Sequence, residues 1–118
     1  SVIPDVVAIP YNGYCYEYYE VELGTHTHNE FNAKCNKLLK ITPNINIIGK
    51  NRDRLTRIIV PQIEWWIKEV GIEILRQLGE KVTVYSIMDL ARGKPTYRLD
   101  LNTGKMVCCF KPEKEENG

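Results

Sequence analysis

The chain has 118 residues, of which 43% are hydrophobic and 26% are charged, and its formal net charge is +1. These values are ordinary for a globular protein and predict one domain over residues 1–118, with a frayed tail at 111–118. No apolar run is long enough to span a bilayer, so no membrane partner is expected.

The charged residues are unevenly distributed along the chain. Residues 1–33 hold five acids and no lysine or arginine, whereas residues 34–57 hold seven bases and one acid. This asymmetry indicates either two solvated surfaces of opposite sign or a basic footprint for nucleic acid or another polyanion. The candidate anion-binding residues are Lys34, Lys37, Lys50, Arg52, Arg54 and Arg57.

Four cysteines are present, at Cys15, Cys35, Cys108 and Cys109, and no two have the Cys-x-x-Cys spacing of zinc ribbons or thioredoxin-like proteins. We therefore expect an intracellular protein with reduced cysteines. An extracellular protein with disulfides stays open as the alternative.

The first predicted element is a β-hairpin over about residues 6–23. Asn12 and Gly13 form the strongest short turn signal, and the returning strand is rich in tyrosine. An aromatic surface of this kind is typical of interfaces, so we predict a homodimer contact through Tyr14, Tyr16 and Tyr18. Glu20 and Glu22 share one face of the strand, and we interpret them as a solvated edge.

Two histidines follow, in a loop before a helix predicted at residues 30–40 and capped by Thr27 or Asn29. On an extended segment His26 and His28 point the same way, so they are candidate metal ligands, with Cys15 and Cys35 as further donors. The alternative is a pair of surface histidines without a ligand.

A short strand at 45–48 leads into a Gly-Lys turn and a basic helix start. A helix start with nearby bases suits a phosphate group. However, Asn44 and Asn51 stand where the phosphate-loop pattern needs Gly and Ser or Thr, and no dinucleotide-binding motif is present, so no cofactor is predicted.

The longest helical pattern covers about residues 61–78, with Trp66 on its main apolar face and Trp65 on a second face. Pro61 leaves two alternatives, one kinked helix from about residue 52 or two helices. A strand at 82–85, a short helix opened by Ser86 and a hairpin at 97–110 follow.

These elements predict an α+β fold. A mainly antiparallel sheet from two β-hairpins, at about 6–23 and 97–110, packs on the long central helix with two shorter helices. For function we rank a non-catalytic module that binds nucleic acid or another polyanion first. A homodimeric interaction or structural protein is the second hypothesis, and a small metal-dependent enzyme is the third.

Overall fold

The structure, a computed structural model, describes the backbone of residues 6–8 and the chain from residue 17 to residue 111. Its strands are β1 Val6–Ala8, β2 Glu17–Val21, β3 Asn44–Gly49, β4 Lys81–Ser86, β5 Tyr97–Asp100 and β6 Lys105–Cys108. Its helices are α1 His28–Ile41, α2 Arg52–Arg54, α3 Val60–Val70, α4 Ile72–Leu78 and α5 Ile87–Ala91, with a π-helical turn, Leu55–Ile59, between α2 and α3. The predicted α+β class is confirmed.

The sheet is mixed, so the prediction of a mainly antiparallel sheet from two hairpins is wrong. Its six strands lie in chain order, and β2, β3 and β4 are parallel to one another. The reason is that helices connect these strands, and each helix returns the chain to the end of the sheet from which it started. The antiparallel pairs lie at the two edges, β1 with β2 and β4 with β5 and β6.

One face of the sheet holds the core. The connections from β2 to β3 and from β3 to β4 each lead to the next strand on the same side of the sheet. Because such connections are right-handed, α1 and the long helical segment lie on the same face. The buried hydrophobic cluster takes its strand residues from that face: Ile45, Ile47, Val82, Val84, Tyr97, Leu99 and Met106. Phe31, Cys35 and Leu38 of α1 pack against them.

The central helix differs from its predicted bounds of 61–78. Helical structure runs without interruption over 19 residues, from 52 to 70, and then breaks at Gly71, whose φ is 94°. Pro61 does not break this helix. It follows the π-helical turn, in which the Val60 N–H donates to the Leu55 carbonyl, five residues back. One helix therefore passes through Pro61, as one of the two alternatives predicted, but it ends at Val70 and does not reach Leu78.

Several local predictions are confirmed. Thr27 caps α1 in a reciprocal capping box with Glu30. Trp66 is 1% exposed, whereas Trp65 is 53% exposed.

Within residues 6–8 and 17–111, no helix is long and apolar enough to cross a membrane. Among the described cysteines, Cys35, Cys108 and Cys109 are free thiols.

Candidate functional site

Two glutamates at the carboxyl end of β2 are buried. Glu20 is 4% exposed and Glu22 is 1% exposed. They lie on one face of the chain because side chains of an extended segment alternate, and Glu20 is in register with Ile47 of the core face. The interpretation of this pair as a solvated edge is therefore wrong, since α1 packs over the end of the strand.

One lysine contacts both carboxylates. Lys34 on α1 places its Nζ 3.3 Å from Glu20 Oε2 and 3.5 Å from Glu22 Oε2. The Lys34 side chain is 22% exposed, so the lysine is the part of these three residues that contacts solvent most. When all three groups are ionised, two carboxylates and one ammonium carry one net negative charge. We call Glu20, Glu22 and Lys34 the carboxylate cluster.

The loop between β2 and α1 is held rigidly beside this cluster. Glu22 Oε1 accepts a hydrogen bond from the Gly24 N–H at 3.0 Å, and Arg54 donates twice to the Leu23 carbonyl, at 2.9 and 3.2 Å. Gly24 has φ +76°, and a Cβ there would lie 3.1 Å from Ile58 Cγ2, so the turn requires glycine. The long helical segment thus fixes the geometry of the loop.

The two histidines of this loop have different partners. His26 Nδ1 lies 3.1 Å from Glu22 Oε1, and the His26 carbonyl accepts from Gln62 Nε2 at 3.0 Å. His28 instead stacks on Trp65, with ring centroids 5.3 Å apart. Over the described ranges, no group of three or more His, Cys, Asp or Glu side chains is placed to hold a metal. Burial raises the pKa of Cys35, which disfavours its thiolate, and Cys15 lies outside the described residues.

Most of the predicted anion-binding side chains have partners inside the molecule. Lys34 belongs to the carboxylate cluster, Arg54 bonds the Leu23 carbonyl, and Arg57 pairs with Asp53 at 2.8 Å. Arg52 forms an ion pair with Asp89. Lys37 and Lys50 are exposed. Polyanion binding through this segment stays a prediction, and its most accessible cations are these two lysines.

A cleft of about 500 Å³ lies at the carboxyl ends of β3 and β4, between Lys50, Arg52, Met88 and Arg92. Its buried acid, Asp89, accepts hydrogen bonds from Ser86 Oγ at 2.9 Å and Thr96 Oγ1 at 2.7 Å. The Arg52 guanidinium beside it, together with these hydroxyl groups, holds the pKa of Asp89 well below its usual value. Asp89 therefore joins elements of the fold.

The predicted interface residues lie mostly beyond the structural description. Tyr14 and Tyr16 lie outside the described residues, and Tyr18 is half-buried on β2. The homodimer stays a prediction, to be tested by sedimentation of the wild type and of a Tyr16→Ala, Tyr18→Ala variant.

Comparison with known proteins finds no relative: no family model, no curated protein and no solved structure matches this chain. The class of protein must therefore be inferred from the site. Sequence reasoning missed the carboxylate cluster because it did not pair β2 with β3 as a parallel neighbour. A parallel β2 ends at the edge of the sheet where α/β proteins place their ligands.

Proposed function

We propose that this protein is a divalent-cation-dependent enzyme that hydrolyses phosphodiester bonds in nucleic acid, with the carboxylate cluster at its centre. The observation that carries this proposal is the meeting of two buried carboxylates with a single lysine. Burying such a group is costly, and an apolar replacement is often at least as stable. A buried group of charges that the fold does not need for stability is therefore a candidate functional site.

The donor set suits magnesium rather than zinc. Mg²⁺ in proteins is held by one or two carboxylates, and waters and substrate phosphate oxygens complete its octahedron. Glu20 and Glu22 would supply these carboxylates, whereas a zinc site needs more His or Cys ligands than His26, the one histidine that contacts Glu22 among the described residues. A bound cation of this type polarises a phosphoryl oxygen and lowers the pKa of bound water.

Lys34 would contribute positive charge beside the reacting phosphate. Hydrolysis joins a water oxygen to phosphorus and breaks one phosphorus–oxygen ester bond. In the transition state between these two bonding arrangements, negative charge increases on the phosphoryl oxygens. An ammonium fixed close to those oxygens stabilises that charge. Arg54 at the adjacent loop and the exposed Lys37, three residues along α1 from Lys34, add attraction for a phosphate backbone.

Glycoside hydrolysis is a weaker explanation of the same pair of carboxylates. That reaction needs one carboxyl group protonated at the working pH so that it can act as a general acid. Both glutamates here instead have the Lys34 ammonium as a neighbour, at 3.3 Å and 3.5 Å. Phosphodiester chemistry, in which carboxylates act as charged ligands, agrees better with this environment.

Non-catalytic binding of nucleic acid is the second candidate function. It is favoured by the exposure of Lys37, Lys40 and Lys50, which cluster in sequence and have no hydrogen-bond or ion-pair partner within the described chain. In that case the carboxylate cluster only anchors α1 to β2.

A cleavage assay separates the two candidates. Labelled single- and double-stranded DNA and RNA are incubated with the protein and Mg²⁺ or Mn²⁺, and the products are resolved by size. Glu20→Gln and Lys34→Met should each lower the cleavage rate at least about 100-fold, the effect of removing one well-placed charge-stabilising group. Glu17→Gln, an exposed glutamate on the same strand, is the matched control and should cleave normally.

Binding without cleavage by the wild type, with either metal, would establish the non-catalytic alternative. Equal cleavage by wild type and Glu20→Gln would place the reaction elsewhere. Thermal unfolding of each variant identifies any that has lost its fold.

A further inference from the structure

One buried glutamate has no part in the carboxylate cluster. Glu80 lies between α4 and β4, is 2% exposed, and its Oε1 has no hydrogen-bond partner within the described residues. Burial raises its pKa to about 7. Lys40 lines a small cavity beside it but forms no ion pair with it in the described chain. A buried carboxylate without a partner is unfavourable, so Glu80 needs either a proton or a partner from outside the chain.

The same glutamate borders a slot between two strands of the sheet. In the described chain, β4 and β5 are paired at two positions, Thr83 with Arg98 and Val84 with Tyr97. Beyond Thr83 the strands no longer pair, and a cavity of about 330 Å³ lies between them. It is lined by residues 80–83 and by Arg98, Leu99 and Leu101. A cavity of this volume is large enough for a small organic molecule.

The lining combines an apolar wall with charged groups. The wall is formed by Val82, Leu99 and Leu101, which belong to the core or pack against it. Lys81 and Arg98 are exposed at the surface. With Glu80 ionised, two cations and one carboxylate give the lining one net positive charge. A ligand that carries both signs of charge can therefore be complementary to both kinds of group at once.

The groups next to Arg98 leave its positive charge in place. Cys109 lies beside the guanidinium, and burial raises the pKa of its thiol, so the thiol is neutral at pH 7. Asp100, two residues along β5, is in register with Lys105 on β6, so these two charges offset each other. Arg98 thus remains a cation of the slot.

We propose that this slot binds a small molecule with both an ammonium and a carboxylate group, namely a free amino acid with an apolar side chain. The ammonium would donate to the Glu80 carboxylate and supply the partner that the described chain lacks. The ligand carboxylate would lie towards Arg98 and Lys81, and its side chain against Val82 and Leu99. A metal ion suits the slot poorly, because one carboxylate with two neighbouring cations is a weak ligand set.

This site is separate from the carboxylate cluster. Glu80 directly precedes β4, whereas Glu20 and Glu22 lie at the carboxyl end of β2, and β2, β3 and β4 run parallel. The two sites are therefore at opposite edges of the sheet. Amino-acid binding does not depend on phosphodiester hydrolysis, and the cleavage assay does not bear on it.

The test uses three matched ligands in isothermal titration calorimetry at pH 7. L-leucine carries both charges, L-leucinamide lacks the carboxylate, and 4-methylpentanoate lacks the ammonium. The wild type should bind leucine more tightly than either analogue. Glu80→Gln should weaken leucine binding at least about 30-fold, the lower end for losing one partner of a buried charge pair. Glu17→Gln, the same change at an exposed glutamate of β2, is the control and should bind leucine as the wild type does.

Arg98→Gln tests the other end of the ligand. It should weaken leucine binding by about 2- to 5-fold, because an exposed charge pair contributes less, and should leave leucinamide binding unchanged. Glu80→Gln removes a buried charge and should keep the fold, which thermal unfolding checks; the ligand ranking in the wild type tests the proposal without that variant. Wild-type leucine affinity in Glu80→Gln would overturn the inference. So would equal binding of leucine and 4-methylpentanoate, or no binding of any of the three ligands by the wild type.

Discussion

Arg52 donates two hydrogen bonds to Asp89, from Nε to Oδ2 at 3.0 Å and from Nη2 to Oδ1 at 2.8 Å. These bonds tie the start of the long helical segment to α5, which lies 37 residues further along the chain. The guanidinium also lies 4.3 Å from the centre of the Phe110 ring, so the segment after β6 joins the same contact.

Asp89→Asn should destabilise the protein by about 1–3 kcal/mol, since hydrogen bonds to charged groups contribute roughly that much. The folded-state pKa of Asp89 is lowered, so its contribution to stability is complete above the ordinary pKa of aspartate and is lost as the pH falls below it. Between pH 7 and pH 3, urea unfolding should therefore show a larger loss of stability in the wild type than in the variant, which keeps the other carboxylates with lowered pKa values. Asp53→Asn, which breaks an exposed pair, should change little at either pH.

Glu80 should produce the opposite pH dependence. It is 2% exposed, its Oε1 has no hydrogen-bond partner within the described residues, and burial raises its pKa to about 7. Between the unfolded value of 4.5 and this folded value, the native state binds more protons than the unfolded state, so stability falls as the pH rises. Glu80→Gln should flatten this decline and should stabilise the protein by about 1–2 kcal/mol at pH 8, after allowance for partial solvent access. A Gln variant with the wild-type profile would show that Glu80 is solvated.

The two adjacent tryptophans should respond very differently to truncation. Trp66 is buried and its Nε1 donates to Asn36 Oδ1 at 2.9 Å. Trp66→Ala should cost about 3–5 kcal/mol, the range for a large buried aromatic residue. Trp65→Ala should cost little, because more than half of that residue is already in water. Equal losses in denaturant titrations would contradict the assignment of Trp65 to the surface.

Polyanion binding should weaken with salt and depend on the exposed lysines. Lys37→Glu with Lys50→Glu should reduce nucleic-acid affinity and flatten the slope of log affinity against log salt, because fewer counterions are released. Lys81→Glu with Lys105→Glu is the charge-matched control outside the basic segment. Equal effects of the two double variants, measured by anisotropy, would mean that overall charge rather than this segment drives binding.

Local chemistry predicted much of the secondary structure. The caps at Thr27 and Asn51, the buried face of α1 and the hairpin at 97–110 each follow from residues close in sequence. The parallel pairing of β2 with β3 could not be predicted in this way. An alternating strand suits both an antiparallel neighbour such as β1 and a parallel neighbour such as β3. The break at Gly71 was missed because apolar residues keep a helical spacing across it, and only its positive φ separates α3 from α4.

Predicting the candidate site also required knowledge of how β2 pairs in the sheet. Glu20 and Glu22 are charged, and charged side chains are almost never fully buried unless they are paired. Lys34, the residue that pairs with both, is 12 residues from Glu22 and belongs to a run of lysines spaced by three, which is typical of a solvated helix face. Only the packing of α1 on β2 distinguishes Lys34 from Lys37.

The order of the strands also bears on how quickly the chain folds. β3 lies between two parallel neighbours, so neither of its pairings can be formed by a short turn. Each needs a whole helix to be placed first, and such distant pairings carry a large loop-closure entropy in the transition state. The hairpin of β5 and β6 can form alone, within microseconds. The slowest event should therefore be the docking of β3 between β2 and β4, the same event that brings α1, with Lys34, over the two glutamates.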